Sequence, residues 1–491
     1  MKAVPIMIQG THSDAGKSMM VTALCRIFAR KGYAVAPFKS QNMALNSYIT
    51  IDGREIGRAQ GVQAEAAGVE AETMMNPVLI KPTKDDESQI VVHGKPLRNM
   101  KASEYRKEYY ETAKQVIREA YQSLAGRFER IVIEGAGSPA EVNLNDRELV
   151  NMSIARMADA PVILVGDIDR GGVFASLVGT LQLLDPVDRK RVCGVIINKF
   201  RGDVSLLQPG LDWFEAYAGI PVLGVVPFME DAAMDAEDSL SLNQYSRFPD
   251  DAKDLDIAVI HLPRISNFTD IDPFRFETDC HVRLVQKPEE LGKPDLIILP
   301  GTKNTLEDCQ FMKELGLDHA VRRLHLQGTI IFGICGGYQM MGEKIHDPQK
   351  VESEAIEVEG IGIFPLKTTM LTEKRTVRSS MKVHFSGEEL DIQGYEVHMG
   401  RTERTGDVDS FLDGSVSDGA YGTYFHGVFH NDKFRHLFLN QLRKRKGLQE
   451  AEAHVLYEQL RLEAYDRLAA HVTGFLDVDR LEDIMEQYQR R

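Results

Sequence analysis

The sequence is poor in the features that mark several protein classes. Only five cysteines occur in 491 residues: Cys25, Cys193, Cys280, Cys309 and Cys335. They are odd in number, widely spaced and form no CxxC pair, which fits neither a disulfide framework nor a zinc knuckle. A reducing cytoplasm is the expected home. No apolar run reaches the roughly 18 residues that a membrane-spanning helix needs. The N-terminus MKAVPIMIQG runs straight from a short apolar strand into a glycine turn, without the long apolar core and cleavage site of a signal peptide. Basic excess is missing as well: 58 Lys and Arg stand against 73 Asp and Glu, a net charge of −15. Broad attraction to nucleic acid or to anionic membrane is therefore not expected, and any acidic ligand must be met by local groups.

What is present is an ordinary globular composition in a chain too long for one core, so two or three domains are expected. Short β-rich apolar runs at Ala3–Ile8, Ala34–Phe38, Ile131–Ile133, Val162–Val165, Val192–Ile197 and Val222–Val226 alternate with amphipathic stretches. Continuous apolar strands separated by helices read as a parallel sheet covered on both faces. After Pro227 the chain turns acidic, with Glu230, Asp231, Asp235, Glu237 and Asp238. A second α/β alternation begins at Ile257–Ile260 and continues through Leu296–Leu299, Thr329–Ile334 and Gly422–Phe425. The expected organisation is a first α/β domain over 1–235, a linker over 236–254, a second α/β domain over 255–438 and a helical extension over 439–491.

Two motifs carry chemistry. The first is Gln9–Ser18, QGTHSDAGKS, between a strand and a helix. Glycines let backbone N–H groups approach phosphate oxygens, the helix N-terminus favours the anion, Lys17 reaches the outer phosphates and Ser18 can ligate magnesium. Gly10 stands one residue earlier than in the usual phosphate loop, with Thr11 in its place, and Gly16 precedes the lysine. The alternative, a tight turn before a helix, leaves the complete context unexplained. Glu134, after Ile131–Ile133 and before Gly135-Ala136-Gly137, is placed to serve magnesium or its water. Asn198 and Lys199 end a strand where an amide could read adenine. Lys39 is a candidate for the phosphates or for the solvated surface.

The second motif is Gly333-Ile334-Cys335-Gly336-Gly337, a strand-to-helix turn of the nucleophile-elbow type, which exposes the sulfur at a helix N-terminus. A thiolate so placed attacks a carboxamide carbon. The oxyanion donors expected are the N–H of Gly336 and the loop Pro300-Gly301-Thr302. Among 14 histidines, His426 in Gly422-Thr423-Tyr424-Phe425-His426-Gly427 is the best-placed base, and His398 in Gly394-Tyr395-Glu396-Val397-His398-Met399-Gly400 is its rival.

These residues carry a resemblance. The elbow, the Pro300-Gly301 loop and His426 look like a triad-type glutamine amidotransferase, and QGTHSDAGKS with Glu134-Gly-Ala-Gly resembles the dethiobiotin synthetase branch of phosphate-loop enzymes. Both in this order are similar to the cobyrinic and cobyric acid amide synthases, and Glu134-Gly-Ala-Gly-Ser-Pro-Ala-Glu141 with Gly394–Gly400 resembles the cobyric acid branch. The resemblance implies ATP, Mg²⁺, glutamine and a corrinoid polycarboxylate. The b, d, e and g carboxylates of adenosylcobyrinic acid a,c-diamide would become amides in cobalamin biosynthesis. It also assigns Cys335 as nucleophile and His426 as base. Many related glutaminases carry an acid two positions after that histidine; here the position is Val428, which implies a dyad or an orienting group from elsewhere. The stretch Lys39–Ser47 resembles a further family signature near the synthetase site. A partitioning-type ATPase would share the phosphate loop but needs no thiol elbow. The sister enzyme that amidates the a and c carboxylates, or another glutamine-dependent ligase, is the nearer rival.

Overall fold

The computed structural model describes residues 3–83, 86–143, 145–229, 245–452 and 455–490. The chain divides into two compact units. One comprises 1–43, 55–234 and 461–491, and the other 44–54 and 235–460.

The first unit is built on a six-stranded sheet. Its order is Val222–Pro227, Val192–Phe200, Val162–Asp167, Val4–Gly10, Arg130–Glu134, Val35–Phe38. All neighbours are parallel. The apolar runs read from the sequence are these strands, and their continuity follows from burial on both faces. A four-stranded sheet of Gln41–Met43, Val78–Pro82, Glu87–Val92 and Lys95–Lys101 was not foreseen.

The second unit contains a seven-stranded sheet in the order Cys280–Val285, Leu255–Ile260, Leu296–Leu299, Ile330–Ile334, Ala420–Thr423, Gly414–Ser417, Asp409–Phe411. Its first five strands are parallel and the last two antiparallel. A further sheet is dominated by the long antiparallel pair Leu366–Phe385 and Glu388–Arg404. The short strand Phe425–His426 joins it beside Tyr395 and Glu396.

The C-terminal segment expected as one extension over 439–491 is divided between the units. Asp432–Arg445 lies in the second, while Leu468, Val472, Leu481 and Met485, on the helices Tyr457–Phe475 and Val478–Gln489, share a core with Ile6, Ile8, Val132 and Val165 of the first sheet. Within that unit Arg26 pairs with Asp466 at 2.8 Å, and Arg461 pairs with Glu65. Residues 236–244 of the expected linker lie outside the described residues. Its remainder begins against the second unit, where Leu284 N–H donates to Ser246 O at 2.9 Å. Among the described residues no helix is long and apolar enough to cross a membrane.

Phe332 organises the second core. Its ring contacts Phe411, Tyr421, Phe429 and Phe438 with centroids 4.7–5.9 Å apart. It lies on the strand Ile330–Ile334 that leads into Cys335, so its packing also supports the elbow. Phe332→Ala should lower unfolding stability by about 3–5 kcal/mol in denaturant titrations; a loss under about 1 kcal/mol would show that the cluster is not the organising core.

Candidate active sites of the two units

The strand Val4–Gly10 ends where the phosphate loop begins, and the helix Lys17–Arg30 leaves from its far side. Gly16 sits between them with φ +102°, and a Cβ there would lie 2.0 Å from Asn198 Nδ2. Glycine is needed both for conformation and for space. Asn198, buried, donates from Nδ2 to Ala15 O at 2.9 Å. Its amide braces the loop in this structure. At Gly10 a Cβ would meet His12 O at 3.0 Å and Lys17 Nζ at 3.1 Å. Thr11 N–H donates to Val165 O at 3.0 Å, and its hydroxyl oxygen is buried without a hydrogen-bond partner among the described residues.

Lys17 Nζ donates to His12 O at 3.0 Å and Gly137 O at 3.1 Å, so the ammonium lies between the loop and the Gly135-Ala136-Gly137 turn. Ser18 Oγ donates to Glu134 Oε1 at 2.9 Å, and Lys39 Nζ reaches the same oxygen at 2.8 Å. Gln63 Nε2 donates to Glu134 Oε2 at 2.5 Å. Lys39 is therefore buried and paired with Glu134, not on the solvated surface. No group of three or more His, Cys, Asp or Glu suited to a metal occurs among the described residues. One hydroxyl and one carboxylate, completed by phosphate oxygens and water, are what Mg²⁺ takes in nucleotide sites, and Ser18 with Glu134 fits that donor set.

Sequence reasoning missed Asp167 at the end of the neighbouring strand. Its Oδ2 accepts from Lys199 Nζ at 2.8 Å, and Lys199 also donates to Asp14 O at 2.6 Å. Burial pushes the Asp167 carboxyl up, but the Lys199 hydrogen bond and charge outweigh it and hold it below the usual range. The signal was the position: an acid on a parallel-strand end at the carboxyl edge of the sheet.

In the second unit Cys335 follows the strand Ile330–Ile334 and precedes the helix Gly336–Met341. Its φ is +53°, rare for a non-glycine residue, so the turn carries backbone strain. The strain is held by close packing. A Cβ on Gly337 would lie 1.9 Å from Leu299 O, and one on Gly336 2.7 Å from Thr302 Cγ2 and 3.2 Å from Thr302 N. The expected oxyanion groups are thus adjacent. A Cβ on Gly301 would lie 3.0 Å from His426 Cε1.

His426 is fully buried, with Nδ1 2.7 Å from Asp270 Oδ2. The other oxygen of Asp270 accepts from Gly427 N–H at 2.7 Å. His426 Nε2 is buried without a hydrogen-bond partner among the described residues. Burial alone would depress this imidazole, but the Asp270 charge and hydrogen bond, and the neighbouring Cys335, raise it to about 10. Asp270 gives His426 the acidic partner that Val428 does not supply. It comes from the segment Phe268–Phe276, 156 positions away in the chain.

His398 is placed differently. Its Nδ1 faces Gly400 O at 2.8 Å and its Nε2 faces Glu396 Oε2 at 3.2 Å, while the ring stacks on Tyr424 with centroids 3.9 Å apart. Burial pushes Glu396 up, but His398 and Arg375 hold it down to about 2. Both nitrogens of His398 are thus occupied.

Residues 6–242 match the CobQ/CobB/MinD/ParA nucleotide binding domain and residues 256–434 the CobB/CobQ-like glutamine amidotransferase domain. The cobyric acid synthase of Geobacillus sp. (strain WCH70) is 57% identical over 507 residues, covering 100% of this chain and 99% of the relative. That of Anoxybacillus flavithermus is 58% identical, covering 100% of this chain and 98% of the relative. That of Streptococcus sanguinis is 49% identical, covering 99% of each. With both domains matched in order and whole-length identity above one half, the chain belongs to the cobyric acid synthase family.

Proposed function

We propose that this protein is a glutamine-hydrolysing, ATP-dependent amide synthase that converts the b, d, e and g side-chain carboxylates of adenosylcobyrinic acid a,c-diamide to amides, giving adenosylcobyric acid. The observation that carries the reading is that one chain holds both an Asp270–His426 pair beside a strained Cys335 and a phosphate loop with Ser18 and Lys39 gathered on Glu134.

In the second unit His426 takes the thiol proton of Cys335 at Nε2, and the sulfur adds to the carboxamide carbon of glutamine. The Gly336 N–H and the Gly301-Thr302 loop stabilise the oxyanion. As the C–N bond breaks, His426 returns the proton to the leaving ammonia, and water then cleaves the thioester to glutamate. Asp270 keeps Nδ1–H of His426 pointed toward itself throughout, which leaves Nε2 for the thiol. In the first unit the acceptor carboxylate takes the γ-phosphoryl group of ATP, and ammonia displaces phosphate from the acyl phosphate. Lys17 and the loop N–H groups offset the charge on the transferring group. Mg²⁺, held by Ser18 and Glu134, would neutralise the phosphate oxygens.

Cys335→Ala should reduce glutamine-dependent synthesis by about 10³-fold or more and leave synthesis from free ammonia. Lys17→Ala and Glu134→Ala should suppress synthesis with either nitrogen donor. Equal loss of both activities in a folded Cys335→Ala protein would refute the division of labour.

Alkylation of Cys335 at neutral pH separates the histidines. His426→Ala and Asp270→Asn should slow it together with glutaminase turnover, the latter by about 10²–10⁴-fold, while His398→Ala leaves alkylation unchanged. The reverse pattern would move the base role to His398.

The raised His426 pKa also has a thermodynamic consequence. An imidazole held above its unfolded value of about 6.5 contributes stability that is fully present below that pH and is lost as the pH rises toward about 10. The stability advantage of the natural protein over Asp270→Asn, measured in denaturant, should therefore shrink between those pH values; an advantage that grows with pH would contradict the pairing.

A further inference from the structure

Asn42, Gln60 and Gln63 are three amide side chains, each at most 2% exposed, in the first unit. They form a line that ends on Glu134. Asn42 Nδ2 donates to Gln60 Oε1 at 3.0 Å, Gln60 Nε2 to Gln63 Oε1 at 3.4 Å, and Gln63 Nε2 to Glu134 Oε2 at 2.5 Å. Gln60 and Gln63 stand three residues apart on the helix Arg58–Ala67, and so on one face of it. The far end fixes the polarity of the line. A carboxylate accepts hydrogen bonds and donates none, so Gln63 must turn its NH₂ to Glu134 and its carbonyl to Gln60, and each amide then orients the one behind it.

Gly57 is a second, independent sign that the line is built. A Cβ there would lie 2.2 Å from Asn42 Nδ2 and 2.8 Å from Gln60 Oε1. Its φ of −62° is open to any residue, so glycine serves space alone, at the bond that starts the line. Asn42 also belongs to the Lys39–Ser47 stretch that resembles a family signature near the synthetase site.

The two oxygens of Glu134 are thereby divided. Oε1 faces the Ser18 hydroxyl and the Lys39 ammonium, and Oε2 is held by Gln63. We infer that the Asn42–Gln60–Gln63 line is a positioning device that fixes the plane of the Glu134 carboxylate and presents Oε1 alone to the phosphate-bound cation, with Gln63 as its decisive member. The inference rests on the proposed role of Glu134 toward Mg²⁺. A small ion that demands near-octahedral geometry gains from a carboxylate held to one oxygen. Hydrogen-bond partners behind a ligand typically change metal affinity about 10–100-fold.

The test is a Mg²⁺ titration of the binding of a non-hydrolysable ATP analogue to the full chain, followed by calorimetry. Gln63→Met should raise the Mg²⁺ concentration for half-maximal nucleotide binding by about 10-fold or more, with binding restored at saturating Mg²⁺. Gly57→Ala should shift it in the same direction without altering any amide, and it carries the test if Gln63→Met does not fold. The inference is overturned if Glu134→Gln raises the Mg²⁺ requirement while Gln63→Met and Gly57→Ala leave it unchanged. An unchanged requirement in Glu134→Gln would instead remove Glu134 from the cation site, and the inference would fall with it.

Discussion

A carboxylate taken out of water must be met by donors, and each candidate site is arranged around one such group. Glu134 ends a parallel strand in the first unit and collects Ser18, Lys39 and Gln63. Asp270 in the second collects His426 and the Gly427 N–H. Leaving a buried carboxylate with one partner fewer costs several kcal/mol, so these contacts dictate which side chains can stand nearby. The reactive groups are placed as a by-product: the donors that satisfy Glu134 are the phosphate-loop serine and a lysine, and the donor that satisfies Asp270 is the imidazole beside the thiol.

Both arrangements depend on the same property of parallel sheets. Strands that run the same way deliver their carboxyl ends to one edge, where the chain must turn into a helix and where backbone N–H groups point outward. Gly16 and Cys335 sit at two such turns, both with positive φ. At the first, glycine removes the conformational cost. At the second, a cysteine bears it, held by the approach of Gly336 and Gly337 to the Leu299–Thr302 loop.

Much of this was legible in the sequence. The central strands were legible because a strand buried on both faces must be continuously apolar, and local turn chemistry is what marks Cys335, Lys17, Ser18 and Glu134 as candidates. What escaped was non-local or two-faced. Asp270 lies 156 positions from the ring it hydrogen-bonds, and no spacing rule connects them. The pair Leu366–Phe385 and Glu388–Arg404 escaped because much of it is exposed on both faces and rich in charge. Gln60 and Gln63 are polar residues on a helix, the pattern of a solvated face, yet both are buried. The division of residues 439–491 between the units was invisible because leucine spacing predicts a helix but not what it packs on.

Isotope transfer tests directly whether the two chemistries are coupled in one chain. With glutamine labelled with ¹⁵N at the side-chain amide and adenosylcobyrinic acid a,c-diamide as acceptor, the label should appear in each new corrinoid amide, with one glutamate and one ADP formed per amide. Label absent from the corrinoid product, or ADP formation independent of the acceptor carboxylates, would contradict it.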